Sequence, residues 1–398
     1  MLRTFTPLTS GSAQALLSPS ARVLVAAAHA DGGVPRAQDL PWNDVHWPTL
    51  VSLTSFERAE AQLFRLLRAA PVGAVPDDVQ QAMQGIFRVA VFRSDELADA
   101  AGVAADSLQA AGIDVLWLKG AALAMQSPEE FAIRSMGDLD LLVPPDQHWR
   151  AREALREAGW CDGVGAGSYD GHHHDAPMLW RGGIRLELHS ALFPPGHPFA
   201  SDSVAAWFAR GITVRWLERT VRVLPANWHI VHASVHWAWS HEGEVGSWQY
   251  LHDMHRLSAG WSGSDSNWTT VVQNAESIGA AGPVGWALWT AALLVNLDVV
   301  ESVISRLRRQ RRLLSGVAER EWVLRAFHSP AASPSVAWSR FWWRRAMGGL
   351  GDAAMAWPWA LGRAPTRLTT QASPAAETHS GRRQTSRWRR HLSRVLGG

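Results

Sequence analysis

Residues 134–143 read RSMGDLDLLV, an apolar, strand-like run that carries Asp138 and Asp140 at alternate positions. Strand interiors disfavour aspartate, and a carboxylate buried without a partner is strongly unfavourable. Any fold of this chain must therefore bring positive charge to that place. Alternate side chains on a strand share a face, so both aspartates point one way with Cα atoms roughly 6.5–7 Å apart, while Leu139 and Leu141 face a core. Two carboxylates at that spacing can hold one or two hard cations. The other reading is a solvated pair at a strand start, since Gly137 marks a turn. An EF-hand loop is excluded, because Leu142 and Val143 stand where such a loop needs oxygen donors and a glycine.

A third carboxylate lies in RLELH, residues 185–189, where Arg185, Glu187 and His189 share the face opposite Leu186 and Leu188. Glu187 either joins the aspartates or sits on the exposed face of an edge strand with Arg185 as its partner. Upstream, an apolar run ends in LKGAAL. There Gly120 lets the backbone approach a ligand closely, and the helix that follows aims free N–H groups at an anion such as phosphate. Lys119 is the only lysine among 38 basic residues. In a chain so biased toward arginine, either a compact ammonium on a flexible stem is required at that position or the lysine survives by chance.

With 398 residues, 47% of them hydrophobic, the chain can build two or three packed units. Its net charge of +2 says little about partners. The single cysteine, Cys161, excludes intramolecular disulfides and cysteine-based structural zinc, and suits a cytoplasmic setting. The N-terminus lacks a charged segment followed by a sustained apolar one, so no signal peptide is expected. The most apolar stretch, GPVGWALWTAALLV at 282–295, is shorter than the roughly 20 residues of a spanning helix and reads as a buried core helix.

Apolar periodicity predicts a helical region over 1–112, with PVGAVP separating two helical segments and Gly112 ending the second. An α/β core is expected over 113–226, with strands at 113–120, 138–143 and 183–189, a helix begun by Pro145 and Asp146, and a closing hairpin. Asn227 is expected to cap a second helical region, 227–335. A Trp/Arg-rich segment and a basic tail, read as disordered from about 363, fill 336–398. The fold class is α+β, a mixed sheet flanked by N-terminal and C-terminal helical parts.

His229, His232 and His236 fall on one helical face, and His241, His252 and His255 follow with Asp253 between the last two. Zinc is conceivable from this spacing, but there is no HExxH, and Trp237, Trp239 and Trp248 favour core or cleft histidines. HHHDAP at 172–177, which includes His173, is either a ligand-contacting loop or a solvated turn. RLRRQRR at 306–312 is either a solvated helix face or, joined to the basic tail, a track for a phosphate backbone.

Taken in order, LKGAALA, RSMGDLDLLV, A..AL...GW within 151–160, HHHDAPML and RLELH resemble the nucleotidyltransferase superfamily with the DNA polymerase beta-like fold. More narrowly, the set is similar to the bacterial family of uncharacterised nucleotidyltransferases, over roughly residues 40–330. The resemblance implies a glycine-containing turn for the triphosphate at Gly120. It also implies three carboxylates, Asp138, Asp140 and Glu187, that are catalytic and bind two magnesium ions. Ala121 stands where serine is usual, and the gap before the aspartates is longer than the common pattern. Lys119 and Arg134 match the narrower family and are candidate phosphate ligands by charge and place, with His173 and His189 beside them.

The activity implied is magnesium-dependent transfer of an NMP from an NTP, ATP among the candidates, to an acceptor hydroxyl with pyrophosphate release. The acceptor is a small molecule or a peptide natural product. An RNA- or tRNA-directed transferase of the toxin type, a non-catalytic nucleotide-binding scaffold and a histidine-based metal hydrolase are the alternatives. Neutralising Asp138 or Asp140 is expected to abolish transfer and to leave stability unchanged or raised, because repulsion between carboxylates is relieved.

Overall fold

The structure is a computed structural model that describes residues 10–29, 37–127, 134–163, 174–175, 177–193, 199, 203–241, 243, 246–262, 266–299, 301–307, 323 and 327. His173, most of the 308–335 segment and everything from 336 onward, including the basic tail, lie outside the described residues. Five helices come first: α1 (Ser10–Leu16), α2 (Pro19–Ala26), α3 (Trp47–Glu57), α4 (Glu60–Arg68) and the 34-residue α5 (Asp77–Ala110). The expected continuous segment over 51–70 is broken, because Arg58 adopts a left-handed φ of 57° and ends α3. Apolar spacing carries no sign of this break, since the periodic residues resume one residue later. Gly112, at φ 64°, ends the next segment as expected.

The mixed α+β core then runs β1 (Leu116–Trp117), α6 (Lys119–Gln126), β2 (Asp138–Leu142), α7 (His148–Glu157), β3 (Cys161–Asp162), β4 (Met178–Leu179), β5 (Arg185–His189), α8 (Val204–Arg210), β6 (Ile212–Trp216) and β7 (Arg219–Val223). These strands form one seven-stranded sheet in the order β3-β4-β5-β2-β1-β7-β6. β2 pairs with β5 in parallel and with β1 antiparallel, and β6 and β7 make the expected hairpin. Because β5 lies between β4 and β2, the alternative that places Glu187 on an edge strand is wrong.

Strand alternation divides the apolar side chains between the two faces of the sheet. Leu139, Leu141, Leu186 and Leu188 pack with Leu97, Ala101 and Leu108 of α5 and Leu155 of α7. On the other face, Leu116, Leu118 and Leu142 join a second core built by α2 to α4 and the later helices. Those helices are α9 (Ala226–Val235), α10 (Ser247–Leu257), α11 (Ser266–Ser277), α12 (Ala281–Val295) and α13 (Glu301–Leu307). Pro225, not Asn227, caps α9; Asn227 lies in the first turn, where its side-chain oxygen accepts the Trp228 N–H at 2.8 Å. Proline suits that position because helix N-termini leave unpaired N–H groups anyway.

Helix α12 is buried nearly all round, as the 282–295 stretch predicts, and no helix among the described residues is long and apolar enough to cross a membrane. Helix α5, about 50 Å long at 1.5 Å per residue, places Met83 in the second core and its C-terminal half against the sheet. Leu188 is closed off on the apolar face, so Leu188→Ala should lower unfolding free energy by roughly 2–5 kcal/mol. Arg215→Ala, on the exposed hairpin, should change it by less than about 0.5 kcal/mol. A loss below about 1 kcal/mol for Leu188→Ala in urea titrations would contradict this division of the sheet faces.

Candidate active site

Register between β2 and β5 builds the site. Asp138 stands opposite Arg185, Asp140 opposite Glu187 and Leu142 opposite His189, so the polar side chains of both strands share one face. Asp140, Glu187 and His189 are buried, and each offers a donor atom within 4.8 Å of the others. Among the described residues they are the one group of three such side chains able to hold a metal ion. Asp138 stands outside that group, one pleat toward solvent, with 33% of its side chain exposed and Arg185 Nη2 at 3.4 Å.

Lys119 supplies the positive charge that buried Asp140 requires. Its Nζ lies 2.6 Å from Asp140 Oδ1, and His189 Nε2 lies 2.9 Å from the same oxygen. Burial alone would raise the Asp140 carboxyl, but the Lys119 ammonium and the His189 hydrogen bond outweigh it and hold Asp140 well below the usual carboxylate range. The same pairing works on Lys119, where burial favours loss of the proton but Asp140, Asp138 and Glu187 together raise its pKa. Burial pushes His189 down to about 4, so its ring is neutral at pH 7 and its Nε2–H donates to Asp140. Glu187 is pushed up by burial and by the charges of Asp140 and Asp138, and accepts from Arg185 Nη2 at 2.9 Å.

Lys119 holds a left-handed φ of 47° where β1 turns into α6. The residue after it, Gly120, has no side chain where Arg134 and Met136 pack; a Cβ there would stand 3.0 Å from the Arg134 guanidinium carbon. Arg134 reaches that spot while its Nε and Nη2 grip Asp253 of α10 at 2.8–3.1 Å. The close approach that Gly120 allows is thus taken by Arg134, whose charge is already matched. Helix α10 is held in turn by Glu57 of α3, which accepts the Trp248 N–H at 3.0 Å. Burial raises the Glu57 carboxyl to about 7.

The histidines read as core or cleft residues form a wall beside the carboxylates. Helix α9 continues through a π-helical turn, His236–Ser240, whose wider winding brings His236 and His241 together with Nε2 atoms 3.0 Å apart. His232 stacks toward His236 with ring centroids 6.2 Å apart, and His174 lies 5.2 Å from His189 and bridges its backbone. Burial lowers His232 and His236 well below their ordinary value and His229 and His241 to about 4. Lys119 adds to this lowering at His232, His236 and His241. Of the later histidines, His252 meets the Ala28 carbonyl at 3.0 Å and His255 packs on His29. These two are part of the helical packing.

For Asp140, these ion pairs reverse the expectation that neutralising either aspartate spares the fold. Asp140→Asn removes the direct partner of the Lys119 ammonium, and removing one partner of a buried pair costs roughly 3–5 kcal/mol. Lys119 keeps 23% of its side chain exposed, which places the expected loss at the low end of that range. Asp138→Asn should shift stability by less than about 1 kcal/mol, since its pair with half-exposed Arg185 is screened. Chemical denaturation of both variants tests this, and equal stabilities would contradict it.

The sequence profile of a family described as uncharacterised nucleotidyltransferase matches residues 43–296, from the turn before α3 to the end of α12. No curated protein and no solved structure gives a significant match. The matched span contains the sheet, the three carboxylates and the histidine wall, and the mixed α+β architecture is consistent with a nucleotidyltransferase fold. Covering well over half of the chain, the match shows that it belongs to the uncharacterised nucleotidyltransferase family, enzymes that transfer phosphorus-containing groups.

Proposed function

We propose that the chain moves an NMP group from an NTP to an acceptor hydroxyl, with pyrophosphate release and dependence on two magnesium ions. One observation carries this reading: Asp140 and Glu187 are paired in register on adjacent parallel strands, with Asp138 on the same face at the solvent edge. The donors fit a divalent cation. Two carboxylates and a neutral imidazole converge within 4.8 Å, and Glu187 is pushed up first by burial and then by the neighbouring charges of Asp140 and Asp138. Held by Asp138, Asp140 and Glu187, magnesium would supply activation of the attacking hydroxyl and neutralisation of the leaving polyphosphate.

The chain's own residues divide the remaining work. Asp138, at the edge, faces both the nucleotide and the buried carboxylates. His189 fixes the orientation of the Asp140 carboxylate through its 2.9 Å hydrogen bond. Lys119 compensates Asp140 and is the ammonium nearest to where the phosphates would lie, while Gly120 and Arg134 shape the adjoining turn. Helix α9 and its π-helical turn close one side against water. A metal-ligating Glu187 is a poor base, so no residue is assigned the acceptor's proton.

The acceptor we favour is a small molecule or a peptide natural product. The basic stretch that would favour RNA begins at Arg306, which is already paired with Glu276 at 2.5–2.9 Å. Incubating the protein with each labelled NTP, magnesium and a cell extract, then weighing the products, should reveal a species heavier by one NMP together with pyrophosphate. Asp138→Asn should abolish both while melting like the wild type. Near-normal turnover of that variant at saturating magnesium would sink the two-metal reading, and pyrophosphate-free nucleotide binding by the wild type would mark a scaffold.

A further inference from the structure

Four cationic side chains stand around the carboxylates, and three are committed. Lys119 is bound to Asp140, Arg185 to Glu187 and Asp138, and Arg134 to Asp253. The fourth, Arg58, comes from the break between α3 and α4. Its guanidinium lies over Gly137, the residue before Asp138, where a Cβ would stand 2.6 Å from the guanidinium carbon. Gly137 is thus bare where Arg58 crosses it. Among the described residues Arg58 has no side-chain hydrogen bond and no ion pair within 4 Å, and it is exposed. Glu60, two residues on, has its carboxyl raised by desolvation and feels Arg58 only through space.

Backbone geometry points the same way. Arg58 holds φ 57° and ψ 43°, a left-handed conformation that non-glycine residues seldom adopt and that persists when neighbours over-determine it. Those neighbours are Glu57, which caps α10, and fully buried Ala59. The turn therefore anchors both flanking residues and sends the arginine outward to the edge of the carboxylate site. A guanidinium offers five donors in a planar fork that matches phosphate oxygens.

We infer that Arg58 binds the polyphosphate of the nucleotide, a contact supplied by the N-terminal helices and not by the sheet. This assignment rests on the nucleotidyltransferase reading, so the test uses ligands that separate the two. The full chain is titrated calorimetrically, with magnesium present, with a non-hydrolysable ATP analogue, with inorganic triphosphate and with AMP. Arg58→Gln should weaken the analogue and triphosphate by roughly 10- to 100-fold, the worth of a hydrogen bond to a charged group. AMP affinity should change less than about threefold, and the melting temperature should hold. Arg58→Lys should recover part of the loss, because an ammonium keeps the charge but not the fork. Gly137→Ala, whose Cβ displaces the guanidinium, should reproduce the polyphosphate-selective loss. Unchanged triphosphate affinity in Arg58→Gln, or an equal loss for AMP and the ATP analogue, would overturn the assignment. A wild type that binds none of the three ligands would overturn the nucleotidyltransferase reading, and this assignment with it.

Discussion

Parallel pairing of β2 with β5 is the constraint on which the site depends. In that register Asp140 and Glu187 are forced side by side, and two buried carboxylates repel strongly unless positive charge lies between them. Lys119 meets that demand at Asp140, and Arg185 meets it at Glu187. A fold that carries such a pair must keep a cation there at all times. Asp140 is held ionised by Lys119, and Glu187 is gathered beside it on the neighbouring strand.

Around that pair, elements distant in sequence are fastened to one another by polar contacts between buried groups. Glu57 caps α10, α10 presents Asp253, Asp253 holds Arg134, and Arg134 covers Gly120 at the start of α6. The Glu57 and Asp253 links each pair a polar group that would otherwise be left unsatisfied, so these contacts are specific as well as stabilising. N-terminal helices, sheet and C-terminal helices thereby meet beside the carboxylates. The helical parts thus position side chains at the site as well as covering the sheet.

Period-two alternation made the two strands, their polar face and the buried leucines legible in the sequence, because strand geometry assigns faces without further information. It left open whether Glu187 sat on an edge or inside the sheet, since strand order is a tertiary property. The single lysine singled out Lys119 as a candidate phosphate ligand, and in this structure its ammonium meets the Asp140 carboxylate. The placement of Arg58 was illegible because it follows from a backbone angle and from the missing side chain of Gly137, neither of which apolar spacing records. The histidines of α9 were seen as one face, yet the π-helical turn that adds His241 to them leaves no periodic trace. Asp253 stood out only for its place between His252 and His255, and its pairing with Arg134 left no trace because that partner lies 119 residues away.

Whether the paired carboxylates hold a cation decides the proposed function most directly. Titrating the protein with Mn2+, a paramagnetic substitute for magnesium, and following the free ion by electron paramagnetic resonance reads this without any knowledge of the acceptor. Glu187→Gln is the informative variant, because it removes one donor while leaving the pair between Lys119 and Asp140 in place. Binding to the wild type and a loss of at least about tenfold in Glu187→Gln, equivalent to roughly 1.4 kcal/mol, is the result expected. Equal Mn2+ affinity in the two proteins, or none in the wild type, would contradict the account.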